Sequence, residues 1–275
     1  MPEPRPYPSD LSDARWELIR PVLEAWRDAR TPKIRQPTHD LRRIMDAILY
    51  VDRSGIPWSY LPHDFPPHQT VYGYFAHWER DGIFEQLTGT LRRLSRTASG
   101  HDAEPSACLI DAQSVKTSAN VRLADQGFDA AKKIAGRKRH LVTDTLGLLL
   151  AVAVTAANIH DSHAARPLLA AVATAHPTLT KVWADAGYKH AVIEHSATLG
   201  LDLEVVQRHP AVRGFTPLPR RWVIERTLGW LMQHRRLVRD FEQHPHRSAA
   251  MIHIAAIDLM TRRLTRENTP TWRDT

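Results

Sequence analysis

Apolar residues at Trp16, Ile19, Leu23 and Trp26 recur every three to four positions, the spacing of one helix face, and predict a helix from Ser12 to about Trp26. Leu41, Ile44, Ile48 and Val51 repeat the pattern and predict a second helix beginning at Thr38 or Asp40. Helices over 70–80 and 83–96 follow the turn-rich stretch "RSGIPWSYLPHDFPPHQT". From Ala107 the pattern changes. "ACLI" is a short apolar run ending at Asp111, and "RHLVTDT" and "LLLAVAVTAA" flank a Leu-Gly turn as a β-hairpin would. Helical spacing returns over 161–175, a short strand ends at Asp185, a helix covers 189–199, and "LDLEVVQ" reads as a strand. A helix over 221–242 and another over 248–266 complete the chain.

The order after residue 107 is therefore β-β-β-α-β-α-β-α-α. It predicts an α/β fold: a ribonuclease-H-like mixed sheet flanked by helices, preceded by an all-helical N-terminal domain. The polar stretch "TASGHDAEPS" separates them, so the expected domains are 1–98 and 107–275. The proline-rich first ten residues read as a loose arm. Within 1–98, the helices around "GIPWSYLP" could form a helix-turn-helix-like unit. Tyr72, Tyr74, His77, Trp78 and Arg80 are then candidate DNA contacts, with core packing by Tyr74 and Trp78 as the alternative.

Charge narrows the partners. The 275-residue chain has a formal net charge of +7 and a pI near 9.8, a balance suited to nucleic acid. The excess lies in two places. Residues 131–147 set Lys132, Lys133, Arg137, Lys138 and Arg139 against Asp144 alone. Residues 220–240 set Arg220, Arg221, Arg226, Arg235, Arg236 and Arg239 against Glu225 and Asp240. Phosphate contact beside an active site is one reading of the first cluster and a solvated hairpin the other. Cys108 is the one cysteine, which excludes an internal disulfide and a CxxC zinc site. The longest apolar run, 146–157, is too short to span a bilayer, and the N-terminus has no apolar signal-peptide core. A soluble cytosolic protein is the expectation.

Three acids fall at ends of elements: Asp111 after the first strand, Asp185 after the fourth, and Glu225 early in an arginine-rich helix. Each alone reads equally as a turn acid or an ion-pair partner. Together they could converge as carboxylates without His or Cys, the ligand set of Mg²⁺, and two such ions can drive phosphodiester cutting and joining. "NIHDSH" (158–163) offers two His and one Asp, but it reads as a helix start and no zinc is assigned.

"IDAQSVKT", "GFDAAKKIAGRKRHLVTDTLGLLL", "VWADAGY" and "RRWVIERTLGWLMQHRRLVRDFE" resemble the transposases of bacterial insertion sequences, the insertion-sequence-five type with a DDE catalytic triad. "LYVDRSGIPWSYLPHDFPPHQTVYGYFAHWERDGIFEQL" resembles their N-terminal helical domain. The resemblance implies catalytic and metal-binding roles for Asp111, Asp185 and Glu225, with Mg²⁺ or Mn²⁺, two ions, as cofactor. It implies double-stranded DNA as partner, at element ends and target, with cutting and strand transfer at terminal inverted repeats. Lys132, Lys133, Arg137, Lys138, Arg139, Arg221, Arg226, Arg235 and Arg236 are the expected DNA-binding residues. Bringing two ends together implies a homodimer, with no membrane partner. The chain departs from the family pattern at Ala112 (Ser), Ala131 (Gly), Leu218 (Tyr) and Met232 (Lys); Arg235 or Arg236 is a candidate for the missing cation. The rival readings are an inactive DNA-binding copy and a nuclease without strand transfer.

Overall fold

A computed structural model describes residues 6–30, 39–188, 191–206 and 220–270. Thr38, Lys189, Pro217, Leu218 and Pro219 lie outside the described residues. The chain forms two compact units. One contains residues 1–95, 233–238 and 250–275, and the other contains 96–232 and 239–249. The linear boundary at 98/107 assigns 233–238 and 250–275 to the sheet domain; in space they belong to the unit of the N-terminal helices.

In the helical unit, α1 (Asp13–Arg30), α2 (Leu41–Ser54), α3 (His68–Arg80) and α4 (Ile83–Ala98) occupy the predicted places. Local chemistry sets the limits of α2. The Asp40 carboxylate accepts the Arg42 N–H at its start, and Gly55, in the left-handed region at φ 77°, closes its end by donating to Val51 O. The predicted stripe Leu41, Ile44, Ile48 and Val51 is buried. Trp78 is fully buried, and the rings of Trp26, half-buried Tyr74 and Trp78 all contact one another. Tyr74 and Trp78 belong to the core, which leaves Tyr72, His77 and Arg80 exposed on α3. Buried polar side chains are paired here: Arg15 and Arg262 reach Asp258 at 2.5 and 3.2 Å, and the His234 ring bonds Asp52 at 2.5 Å.

The sheet unit is built on β1 (Ala107–Lys116), β2 (Gly127–Asp129), β3 (Ile134–Asp144), β4 (Leu149–Ala156), β5 (Lys181–Ala184) and β6 (Asp202–Val205). The strand order is β2-β3-β1-β5-β6, with β4 also on β3. β1 runs antiparallel to β3 and parallel to β5, and β5 runs parallel to β6. Helices α5 (Asp161–Ala175) and α6 (Ala191–Thr198) make the crossovers these parallel pairs require. This is the curled mixed sheet with flanking helices of a ribonuclease-H-like α/β fold. Its core joins Ile110, Val142, Leu169, Val182 and Val192. The hairpin turn between β3 and β4 is held by Asp144, whose Oδ1 accepts the N–H groups of Leu146 and Leu148, with Gly147 at φ 81°.

Three expectations change. β1 continues five residues past Asp111, so that residue lies mid-strand; the mostly polar segment Gln113–Lys116 still pairs with β3. The short β2 had no apolar run to announce it. The helix over 221–242 is broken: α7 (Arg221–Leu231) and α8 (Arg235–Val238) are separate, followed by α9 (Pro245–Thr265). Glu225 and Gly229 therefore lie on α7, whereas Arg236 and the exposed Val238 lie on α8.

Candidate active site

The register of two parallel strands brings the first two acids together. Leu109 of β1 is paired with Trp183 of β5. Two residues further on lie Asp111, still in β1, and Asp185, the first residue after β5, and the Asp185 charge bears on the Asp111 carboxyl. Each carboxylate is anchored through one oxygen: Asp111 Oδ1 accepts the Ala112 N–H at 2.7 Å, and Asp185 Oδ1 accepts the Gly187 N–H at 2.8 Å. The Oδ2 atoms carry no such anchor.

The third acid comes from α7, which lies against β1. The Arg221 guanidinium is 3.5 Å from Glu225 Oε1, one turn along the helix, and 4.0 Å from Asp111 Oδ2. It holds the strand acid and the helix acid on either side of one cation. Gly229, one turn after Glu225, faces open space.

The electrostatics mark Asp111. Burial pushes its carboxyl up to about 6, and the Asp185 charge adds to that; the Ala112 N–H, Arg221 and Lys132 pull the other way. Tyr188 is completely buried, and its hydroxyl is raised well above 10, first by burial and then by the charges of Asp111, Asp161 and Asp185. Among the described residues that hydroxyl has no hydrogen-bond partner.

The expected cations divide sharply. Lys132 and Lys133 are exposed in the turn before β3, with Lys132 Nζ donating to Ala112 O at 3.0 Å. Arg137, Lys138 and Arg139 lie within β3 and are buried. Arg137 donates to the carbonyls of Asp125, Glu242 and Gln243 and pairs with Asp240 at 3.4 Å. Lys138 pairs with Asp161 at 3.0 Å and donates to Ile159 O at 2.9 Å. These side chains serve the fold, and the expectation that all three meet DNA is corrected. The "KKIAGRKR" run looked uniformly basic because sequence does not show which cations a strand turns inward. Arg226 stacks 4.6 Å over the Trp230 ring and donates to Leu146 O. In the helical unit, Arg235 is exposed, whereas Arg236 is buried and donates to Ile56 O.

"NIHDSH" was read as a plain helix start. His160 does cap α5, its ring nitrogen accepting the Ser162 N–H. Asp161, the first helical residue, is nevertheless drawn to the site. A Cβ on Gly187 would lie 3.5 Å from Asp161 Oδ2 and 3.0 Å from Asp185 Oδ1. The pairing of Lys138 with Asp161 was the missing signal, and no sequence spacing reports it.

Two family models match the chain. Residues 102–259 match the "Transposase DDE domain", and residues 11–88 match the "Putative transposase of IS4/5 family (DUF4096)". The chain belongs to the DDE transposases. A curated relative of this transposase, "Putative transposase for insertion sequence element IS402" from Burkholderia cepacia, is 35% identical over 118 residues. That match covers 39% of the chain and 54% of the relative, so the chain spans about half the relative's length. No solved structure matches the transposase significantly.

The family implies divalent metal. Among the described residues, no group of three or more His, Cys, Asp or Glu is gathered closely enough to hold an ion. The donor chemistry nevertheless fits one. The site offers carboxylate oxygens only, and the Oδ2 atoms of both aspartates lack the backbone anchors of their Oδ1 atoms. Repulsion between Asp111 and Asp185 is a cost that a hard cation relieves. No described helix is long and apolar enough to cross a membrane.

Proposed function

We propose that this chain cuts DNA at the terminal inverted repeats of an insertion sequence and joins the freed 3′-hydroxyl to target DNA. The reading is carried by one observation: Asp111 on β1 and Asp185 at the end of the adjacent parallel strand lie close enough for their charges to interact, with Arg221 linking Asp111 to Glu225. Asp111, Asp185 and Glu225 would hold Mg²⁺ or Mn²⁺, two ions, which when bound supply Lewis acidity at the scissile phosphate.

The chain's own residues do the rest. The N–H groups of Ala112 and Gly187 fix the two aspartates in rotation. Arg221 neutralises part of the site's negative charge and offers its guanidinium to phosphate. Lys132 and Lys133, exposed in the turn before β3, and Arg226 on α7 would take up DNA backbone near the site; Arg235 would do so from the helical unit. Exposed Tyr72, His77 and Arg80 on α3 would serve the recognition of element ends. Two ends must meet before joining, so a homodimer is the expected acting form.

The test uses the full chain and the DNA flanking its own gene. Asp185→Asn should abolish metal-dependent cutting and leave end binding within about twofold of wild type. Undiminished cutting by that variant removes Asp185 from the triad. Cutting by the wild type without joining to a target plasmid would leave a nuclease in place of a transposase.

A further inference from the structure

Phosphoryl transfer spreads negative charge over the phosphoryl and departing oxygens, and a fixed cation that meets this charge in the transition state lowers the barrier. Arg221 is one cation beside Asp111. The fold brings a second from the β2–β3 hairpin. At the open end of that hairpin, Gly136 is paired with both Lys116 and Gly127. From there the hairpin returns along β1 toward Asp111. Asp129 Oδ2 accepts the Ser114 hydroxyl at 2.5 Å, and Lys132 Nζ donates to Ala112 O at 3.0 Å. The contacts thus step back from Lys116 to Ser114 to Ala112.

The tip that carries Lys132 is pinned. Buried Asp129 accepts the N–H groups of Ala131 and Lys132 on Oδ1, both at 3.1 Å, and its Oδ2 lies 3.8 Å from Lys138 Nζ. Lys133 sits in the left-handed region at φ 53°, a conformation that a lysine keeps only where its surroundings impose it. An ammonium has three N–H donors. The bond to Ala112 O uses one, and Lys132 is otherwise exposed. Ala112 also donates its own N–H to Asp111 Oδ1, so the ammonium and the carboxylate are attached to the same residue. Lys132 and Arg221 both pull the Asp111 carboxyl down against burial, which agrees with that placement.

We propose that Lys132 is a catalytic residue of cutting and joining: its ammonium, held beside Asp111 by Asp129 and Ala112, binds the scissile phosphate and stabilises the charge that develops there. The inference rests on the transposase reading above and sharpens it, since a backbone contact elsewhere on the DNA would aid binding alone. In cutting, the oxygen of water bonds to phosphorus, the bond from phosphorus to the 3′-oxygen breaks, and that oxygen takes up a proton that the water gives up. In joining, the freed 3′-hydroxyl bonds to a target phosphorus, and its proton passes to the departing 3′-oxygen in the same way. Lys132 stays protonated and supplies charge.

The experiment uses full-length protein, a duplex from the DNA flanking its gene, a target plasmid and Mg²⁺. End binding in EDTA, single-turnover cutting and joining at saturating protein, and melting are measured for wild type, Lys132→Gln, Lys132→Arg and Asp185→Asn. Lys132→Gln should slow both steps about 100-fold at saturation. Its end binding should weaken by no more than about tenfold, the loss of one phosphate contact. Lys132→Arg, which keeps the charge in a different geometry, should return to within about fivefold of the wild-type rate. Both variants should melt with wild type, because the side chain is exposed. Wild-type rates for Lys132→Gln at saturating protein, with Asp185→Asn inactive, overturn the inference and leave the transposase reading standing; Lys132 is then a binding contact only. Slowing that accompanies a lower melting temperature, or that Lys132→Arg does not relieve, also overturns it, because the charge is then not the cause. A wild type that neither cuts nor joins removes the transposase reading, and the inference falls with it.

Discussion

Asp111→Asn should stabilise the metal-free protein at neutral pH. The Asp111 carboxyl is raised from 3.8 to about 6, with burial as the main cause. A shift of about two units at 1.36 kcal/mol each makes its ionised form cost about 3 kcal/mol in the fold. The sign follows from the direction of the shift. The stability is fully present below pH 4, where the group is protonated in folded and unfolded chains alike, and it is lost as pH rises through 6. Asparagine stays neutral and keeps an oxygen for the Ala112 N–H. Calorimetric melts in EDTA should find the variant and wild type close at pH 4. At pH 8 the variant should melt higher, by roughly 5–10 °C for a unit of this size. Adding Mg²⁺ or Mn²⁺ should narrow the gap, because binding to the ionised site stabilises only the wild type. A difference between the two proteins that is independent of pH would falsify the assignment of this cost to Asp111.

Arg137→Met should destabilise the sheet unit by about 3–5 kcal/mol, because it strips buried Asp240 of its counter-charge and three carbonyls of a donor; urea unfolding measures this. Lys133→Gln, at an exposed position, should leave melting unchanged and lower the salt dependence of DNA binding by about one phosphate contact in a titration across NaCl concentrations. Gly136→Ala should prevent normal pairing of β1 with β3, since a Cβ there overlaps the Val115 carbonyl oxygen; loss of soluble, cooperatively melting protein is the expected readout.

Much of the scaffold was legible along the chain because it depends on local spacing. The stripe Leu41, Ile44, Ile48 and Val51 placed α2, with Asp40 among the two candidates for its start, and helical spacing placed α5 at Asp161–Ala175. The β3–β4 hairpin followed from two apolar runs around a Gly turn. The three triad candidates stood out as acids near element ends in an otherwise basic context. The break after α7 did not stand out, because helix periodicity continues through "MQHRRLVRDFE". His234, committed to buried Asp52 in the helical unit, belongs to a different packing environment from Leu231.

The amino-acid order alone indicated most of the elements, the two basic segments and the family motifs, since each is a property of neighbours within a few turns or one strand. Which cations point inward was decided only by tertiary structure: β3 is central, so Arg137, Lys138 and Arg139 must find acceptors inside it, while Lys132 and Lys133, a few residues earlier, remain outside. The approach of Asp185 to Asp111, the link through Arg221 and the arrival of Asp161 beside Gly187 arise in the same way. They join residues tens of positions apart, and strand pairing in space, unlike local spacing, leaves no trace in the linear pattern.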